Sequence, residues 1–159
     1  MPRLDEEIRI VPSVLDRLLD DVSGPATDQY HGIRDLKRVV GRDLEALLNT
    51  RQETLNALPA DFTETSRSIL MYGLPDFSSL SLASLPDRNH VRRVLEQAIA
   101  LFEPRLDRVR VVIEEPRAFD RGLHFRIEAV LQVRPAPEAV AFDAVLQLTT
   151  QEYRIQGPD

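Results

Sequence analysis

A single proline divides this chain into two parts with different periods. Before Phe102 the apolar residues recur at steps of three and four, the spacing of a helix face; after Arg105 they recur at every second position, the spacing of a strand. Pro104 makes the change abrupt, because its ring and missing N–H stop a helix and push Glu103 out of the α region. The segment Phe102-Glu103-Pro104-Arg105-Leu106 therefore holds two opposite charges on either side of a stiff joint, with Phe102 and Leu106 as apolar anchors. A chain built this way must stack helices on a sheet. It predicts an α+β fold in which a helical N-terminal half packs on a three- to four-stranded, mainly antiparallel sheet formed by the C-terminal half.

The sheet half carries the clearest pattern. Leu123, Phe125, Ile127, Ala129, Leu131 and Val133 alternate with His124, Arg126, Glu128, Val130, Gln132 and Arg134, which gives one buried face and one wet face. Val109, Val111 and Ile113 before them, and Val140, Phe142, Ala144, Leu146 and Leu148 after them, repeat the alternation, and Tyr153 with Ile155 either extends it or adds a short strand. Turns at Asp120-Arg121-Gly122 and Pro135-Ala136-Pro137 favour an antiparallel meander. An open meander has edge strands with unpaired backbone groups, and a partner's extended segment could pair with one left free.

In the helical half, Ser13 and Asp16 form a capping pattern ahead of a stripe of Val14, Leu15, Leu18, Leu19 and Val22. A longer helix is predicted from near Asp28 to Asn49 on Ile33, Leu36, Val40, Leu44, Leu47 and Leu48. Gly41 in its interior suggests close approach of a neighbour, while Arg42, Asp43, Glu45 and Arg51 read as a solvated charged side. After the connection Leu58-Pro59-Ala60-Asp61, Thr63 can cap a short helix carrying Ile69, Leu70 and Met71. Then comes Tyr72-Gly73-Leu74-Pro75-Asp76-Phe77, where Gly73 suits the left-handed position that ends a helix and Pro75 prevents its resumption. Leu74 and Phe77 should pin this loop to the core, which by itself accounts for these residues and is favoured over a loop that serves to present Asp76. Ser84 caps the last helix, with Pro86 and Asp87 in its first turn and Val91, Val94, Leu95, Ala98, Ile99 and Phe102 as its stripe.

At 159 residues, 43% apolar and 29% charged, the chain suits one domain over residues 12–159, with residues 1–11 as a flexible arm. There is no cysteine, so neither a disulfide nor a thiolate metal site is available. The charged start has no apolar run and nothing approaches the roughly 20 apolar residues of a membrane span, so a cytoplasmic protein without direct membrane insertion is expected. A net charge of −6 argues against nucleic acid and leaves proteins as the expected partners.

His31, His90 and His124 fall on different elements without paired metal-ligand spacing, and there is no Gly-rich phosphate loop or nucleophile elbow. No metal or cofactor is expected. The one enzyme that can be assembled is a carboxylate-pair hydrolase with Glu103 as acid and Asp76 as partner. Arg105 weighs against it, since a nearby cation favours the charged form of an acid that must be protonated. Glu103 and Arg105 can otherwise form an internal ion pair or reach across an interface, and spacing does not separate these two.

The runs Ser13-Val14-Leu15-Asp16-Arg17-Leu18 and Arg42 to Arg51, the stretch from Ser68 to Phe77 and Phe102-Glu103-Pro104-Arg105-Leu106 occur in this order. Together they resemble the TssE family of type VI secretion baseplate subunits, which is similar to the wedge proteins of contractile phage-tail baseplates and is sometimes labelled lysozyme-like. The resemblance covers roughly residues 12 to 155. Met71 departs from it, standing where the family commonly has Asn, which should remove any polar contact from that position. The resemblance implies a non-enzymatic protein that links the wedge complex to the contractile sheath and helps start sheath assembly. Its implied partners are the wedge proteins TssF and TssG, TssK, the sheath proteins TssB and TssC, and the Hcp tube. The family's Glu-Pro-Arg motif maps onto Glu103, Pro104 and Arg105, and Tyr72 and Asp76 join them as candidate protein-binding residues. Removing Glu103 or Arg105 should then leave a folded protein that assembles poorly. The alternative remains a peptidoglycan-cleaving, lysozyme-like hydrolase using Glu103.

Overall fold

The computed structural model describes residues 33–52, 63–81, 83–114, 122–134, 136–147 and 152–156. The expected arm over residues 1–11, the helix with its stripe over 14–22, His31, the start of the second helix near Asp28, the connection at 58–61, the turn residues 120 and 121, Pro135 and Leu148 lie outside the described residues. Helix α1 (Ile33–Asn49) is followed by the single turn α2 (Thr63–Ser66), a 3-10 turn (Ile69–Met71) and helix α3 (Leu85–Phe102). Strands β1 (Leu106–Ile113), β2 (Gly122–Leu131), β3 (Glu138–Gln147) and β4 (Glu152–Gln156) complete the described chain. The sheet order is β1-β2-β3-β4 with every pairing antiparallel, the meander the alternation predicted.

The period-two pattern translates directly into burial. Leu123, Phe125, Ile127, Ala129 and Leu131 of β2 and Val140, Phe142, Ala144 and Leu146 of β3 all face the core. From the helices they meet Val40, Leu44, Leu47 and Leu48 of α1 and Val91, Leu95, Ala98 and Ile99 of α3. α3 lies over β1 and α1 over β4, so the helical layer spans the sheet from margin to margin. Each large apolar side chain so enclosed contributes roughly 1.5–3 kcal/mol. On the opposite face Arg126 and Asp143 pair across β2 and β3 at 2.7 Å, and that hydrogen bond holds the Asp143 carboxyl below its ordinary range. Among the described residues no helix is long and apolar enough to cross a membrane.

Three local expectations are revised. The first concerns β1, where the register shifts between Asp107 and Arg110 and Arg108 takes φ +52°. This bulge lets both Leu106 and Val111, five positions apart, reach the core, which strict alternation forbids. The second concerns the short helix after Thr63, which breaks in two. Ser66 Oγ donates to Thr63 O at 2.6 Å and Ser68 Oγ to Thr65 O at 2.7 Å, so side chains take up carbonyls a continuous helix would use. Ile69 and Leu70 consequently stand in water, 85% and 58% exposed.

The third is Gly41. It is buried against Phe142 and Ile155, but a Cβ placed there would sit 3.7 Å from both, an ordinary contact. Close approach does not require the glycine. Gly41→Ala should therefore stabilise the protein by about 0.5–1 kcal/mol, the helix-interior cost of glycine. A raised urea midpoint with an unchanged slope would register the gain.

Candidate functional site at the charged joint

The joint forms where α3 stops. The Glu103 N–H still donates to Ile99 O at 2.9 Å, but its backbone has left the helix at φ −121° and ψ 78°. Pro104 then carries the chain through a turn closed by Leu106 N donating to Glu103 O at 3.0 Å, and Gln132 N donates to Arg105 O at 2.8 Å. The joint is thus tied both to the helix before it and to the residue just past β2.

From this turn the Arg105 side chain runs back over Glu103. Arg105 Nε donates to Glu103 Oε1 at 2.6 Å, and its terminal nitrogen Nη2 donates to Glu103 Oε2. The same nitrogen donates to Asp43 Oδ2 on α1 at 2.6 Å. Asp43 Oδ1 in turn accepts from the Arg42 guanidinium at 3.0 and 3.2 Å. Glu103 is only 5% exposed, the one buried charged residue among those described. The hydrogen bond to Glu103 outweighs desolvation and, with Asp43, pushes the Arg105 guanidinium further into its charged form. Tyr72 closes the cluster from the loop side: its ring meets Phe102 edge-on at 5.3 Å. Burial, then Asp43, then Glu103 raise the Tyr72 hydroxyl above its ordinary pKa.

The structure therefore divides the five sequence candidates. Tyr72, Glu103 and Arg105 converge, joined by Asp43, which the sequence placed on a solvated side. Pro104 is exposed at the tip of the turn. Asp76 belongs to a different place, accepting from Ser78 N at 2.9 Å and standing 3.9 Å from Arg51. The Ser78 backbone N–H is the main cause holding its carboxyl below the ordinary range. Asp76 lines a cavity of about 280 Å³ with Leu48, Leu74, Phe77 and Tyr153, and Glu103 is not part of that lining. Glu103 and Asp76 therefore do not line this cavity together, which weighs against the carboxylate pair of a hydrolase. Both Glu103 oxygens already accept hydrogen bonds from Arg105, so the choice between internal pair and interfacial reach falls to the internal pair for Glu103.

The loop carrying Tyr72 is docked on the end of α1 by backbone bonds. Leu74 N donates to Thr50 O at 2.9 Å and Gln52 N donates to Leu74 O at 2.8 Å, a short parallel bridge. Met71 keeps a polar contact after all, because Gln52 Nε2 donates to its sulfur at 3.3 Å.

The expected free sheet edge is also revised. On β4, Tyr153 N donates to Asn49 Oδ1 and Asn49 Nδ2 donates to Tyr153 O, both at 2.8 Å, while Ile155 N donates to Glu45 Oε2 at 2.9 Å. On β1, Val111 N donates to Glu96 Oε1 at 2.9 Å. Each margin has outward backbone groups occupied by side chains of the helix above it. Sequence reading missed Glu45, Asn49 and Glu96. The available signal was that Glu45 and Asn49, four apart, border the buried stripe of Leu44 and Leu48. Glu45→Ala with Asn49→Ala should expose these groups, and concentration-dependent self-association in light scattering is the expected result.

The family model described as baseplate wedge protein gp25 matches residues 34–136, a span holding both the docked loop and the charged joint. The anti-adapter protein IraD of Salmonella arizonae is 30% identical over 125 residues, covering 79% of this chain and 83% of its own length. A chain of the baseplate complex from the type VI secretion system is similar at a TM-score of 0.47 and 23% identity, over 71% of this chain and 95% of that one.

Proposed function

This chain belongs to the baseplate wedge protein gp25 family, and from that premise we propose that it is a structural, non-enzymatic subunit of a type VI secretion baseplate. Its proposed neighbours are the wedge proteins TssF and TssG together with TssK, and its proposed task is to link this wedge to the TssB–TssC sheath around the Hcp tube on the cytoplasmic side. The observation that carries the reading is the family match across the charged joint. The geometry gives the joint a physical role: Arg105 clamps α1 to the start of the sheet through Asp43 and Glu103, which makes the molecule a stiff element between moving neighbours. Pro104 and Asp76 remain on the surface as contact points. Addition of a sheath strand at β4 would require Glu45 and Asn49 to let go of the edge.

Copurification of the tagged chain with TssF and TssG, and loss of sheath assembly on deletion of the chain, are the expected results. Asp76→Asn, which retains an acceptor for Ser78 N, tests the surface contact without disturbing the fold. Normal sheaths in the deletion strain would sink the proposal. Cell-wall turnover that is lost in Glu103→Gln would replace it with the hydrolase reading. The identity with IraD favours a second reading, an anti-adapter role. Recovery of an adapter protein in place of wedge subunits would select it.

A further inference from the structure

We propose that the groove along the outer margin of β1 is a docking site for an acidic segment of a partner protein that carries apolar residues beside its carboxylates. The groove has a volume of about 220 Å³ and is lined by Leu85, Arg88 and Arg92 of α3 and by Arg110, Val112 and Ile113 of β1. That volume is below the roughly 300–1,000 Å³ of a small-molecule site and suits a few side chains of an extended segment.

Charge selects the occupant. Arg88 and Arg92 stand four apart on α3 and so share a face, and Arg110 joins them from the strand. Among the described residues no carboxylate forms an ion pair with any of the three, although Glu128 stands opposite Arg110 in the register. Glu96, one turn beyond Arg92, is committed to Val111 N. Among the described residues the buried Nε atoms of Arg88 and Arg92 have no hydrogen-bond partner. A charged donor left unsatisfied is costly, and Arg88 and Arg92 as whole residues are only half-buried, so a carboxylate in the groove would stabilise guanidinium groups that the described residues leave without a counter-charge. A guanidinium fork matches a carboxylate in two parallel hydrogen bonds.

The apolar rim decides between a peptide and a simple anion. Leu85 is 61% exposed and Val112 is 40% exposed on the flanks of the arginines. A free anion would leave both in water, whereas a peptide can cover them while its carboxylates meet the guanidinium groups. Nucleic acid is disfavoured by the net charge of −6. This inference does not rest on the baseplate reading and survives its failure.

The test uses the full chain and a fluorescein-labelled peptide, Leu-Asp-Glu-Asp-Leu, followed by anisotropy. Saturable binding that weakens with salt is expected, falling at least tenfold in Arg88→Gln with Arg92→Gln and also falling in Arg110→Gln, whose exposed side chain leaves the fold intact. The neutral peptide Leu-Asn-Gln-Asn-Leu should not bind. Arg93→Gln should bind as the parent does, because the Arg93 guanidinium donates to Asn89 O of its own helix at 3.3 Å. Absence of saturable binding, or binding by the double variant and by Arg110→Gln that equals the parent's, overturns the proposal. So does displacement of the peptide by an equal concentration of inorganic phosphate, which would indicate a bare anion site, or tighter binding of a single-stranded oligonucleotide.

Discussion

Arg105→Met lowers the unfolding free energy by about 3–5 kcal/mol, the cost of leaving a buried charge without its partner. Glu103 is 5% exposed and takes two of its side-chain hydrogen bonds from this one guanidinium, so removing Arg105 strands a carboxylate that water does not reach. Asp43 loses one partner but keeps Arg42 and is more exposed, so its share of the loss is small. Urea denaturation measures the change. The double variant Glu103→Leu with Arg105→Met should recover most of it, since a buried pair replaced by apolar residues is often neutral or better. A loss below about 1 kcal/mol in the single variant, the range of surface pairs, would mean that the joint is not a buried lock. The result also changes how mutants of this motif are to be read. Sequence reasoning expects a folded protein that assembles poorly; if the stability loss is measured, an assembly defect in Arg105→Met would not by itself separate a lost contact from lost stability.

Gly73→Ala costs about 3 kcal/mol or more, for two reasons that add. Gly73 sits at φ +109°, a conformation that L side chains rarely adopt. A Cβ built there would lie 2.3 Å from Thr50 O and 2.9 Å from Thr50 C, both backbone atoms that cannot turn aside. Thr50 O also accepts the hydrogen bond from Leu74 N, so relieving the clash breaks the bridge that docks the loop on α1. At about 2–4 °C per kcal/mol for a chain of this size, the melting temperature should fall by about 6–12 °C. The Tyr72 ring should leave Phe102 at the same time, which its aromatic proton shifts would report. The same substitution at Gly41 is expected to stabilise, so the two alanine variants form an internal control. Equal effects at both sites would show that the loop is not held as described.

Much of the fold was legible because it rests on patterns between neighbours in the chain. The alternation through Leu123, Phe125, Ile127, Ala129 and Leu131 placed every one of those residues correctly, since successive strand side chains must point to opposite faces. The end of α1 at Asn49, the start of α3 after Ser84 and the break at Glu103 followed from the last stripe residue, a cap and a proline. Two local features escaped. The bulge at Arg108 has no glycine to announce it, because an arginine there adopts a positive φ with its N–H donating to Asp107 Oδ1 at 2.8 Å. The split after Ser66 came from serine hydroxyls competing for carbonyls, which composition alone does not reveal.

The candidate site was legible only in part. Glu103 and Arg105 stood out as charges either side of the stiff Pro104 joint, and Gly73 as the left-handed residue ahead of a pinned loop. Their partners did not stand out. Asp43 lies 62 residues from Arg105, and Glu45 lies 110 residues from Ile155, yet each pair shares a hydrogen bond. On the helix both acids look like ordinary surface charges.

The chain by itself determined the buried faces of α1, α3, β2 and β3, where the two long helices stop and that the sheet is a meander, because period, caps and proline act over a few residues. Only the tertiary structure decided that helix side chains occupy outward backbone groups at both sheet margins, that Arg105 locks α1 to the sheet and that Arg88, Arg92 and Arg110 gather beside β1 without a carboxylate partner among the described residues. Those meetings depend on how one layer is set over the other, to within the length of a hydrogen bond, and no pattern among neighbouring residues carries that distance.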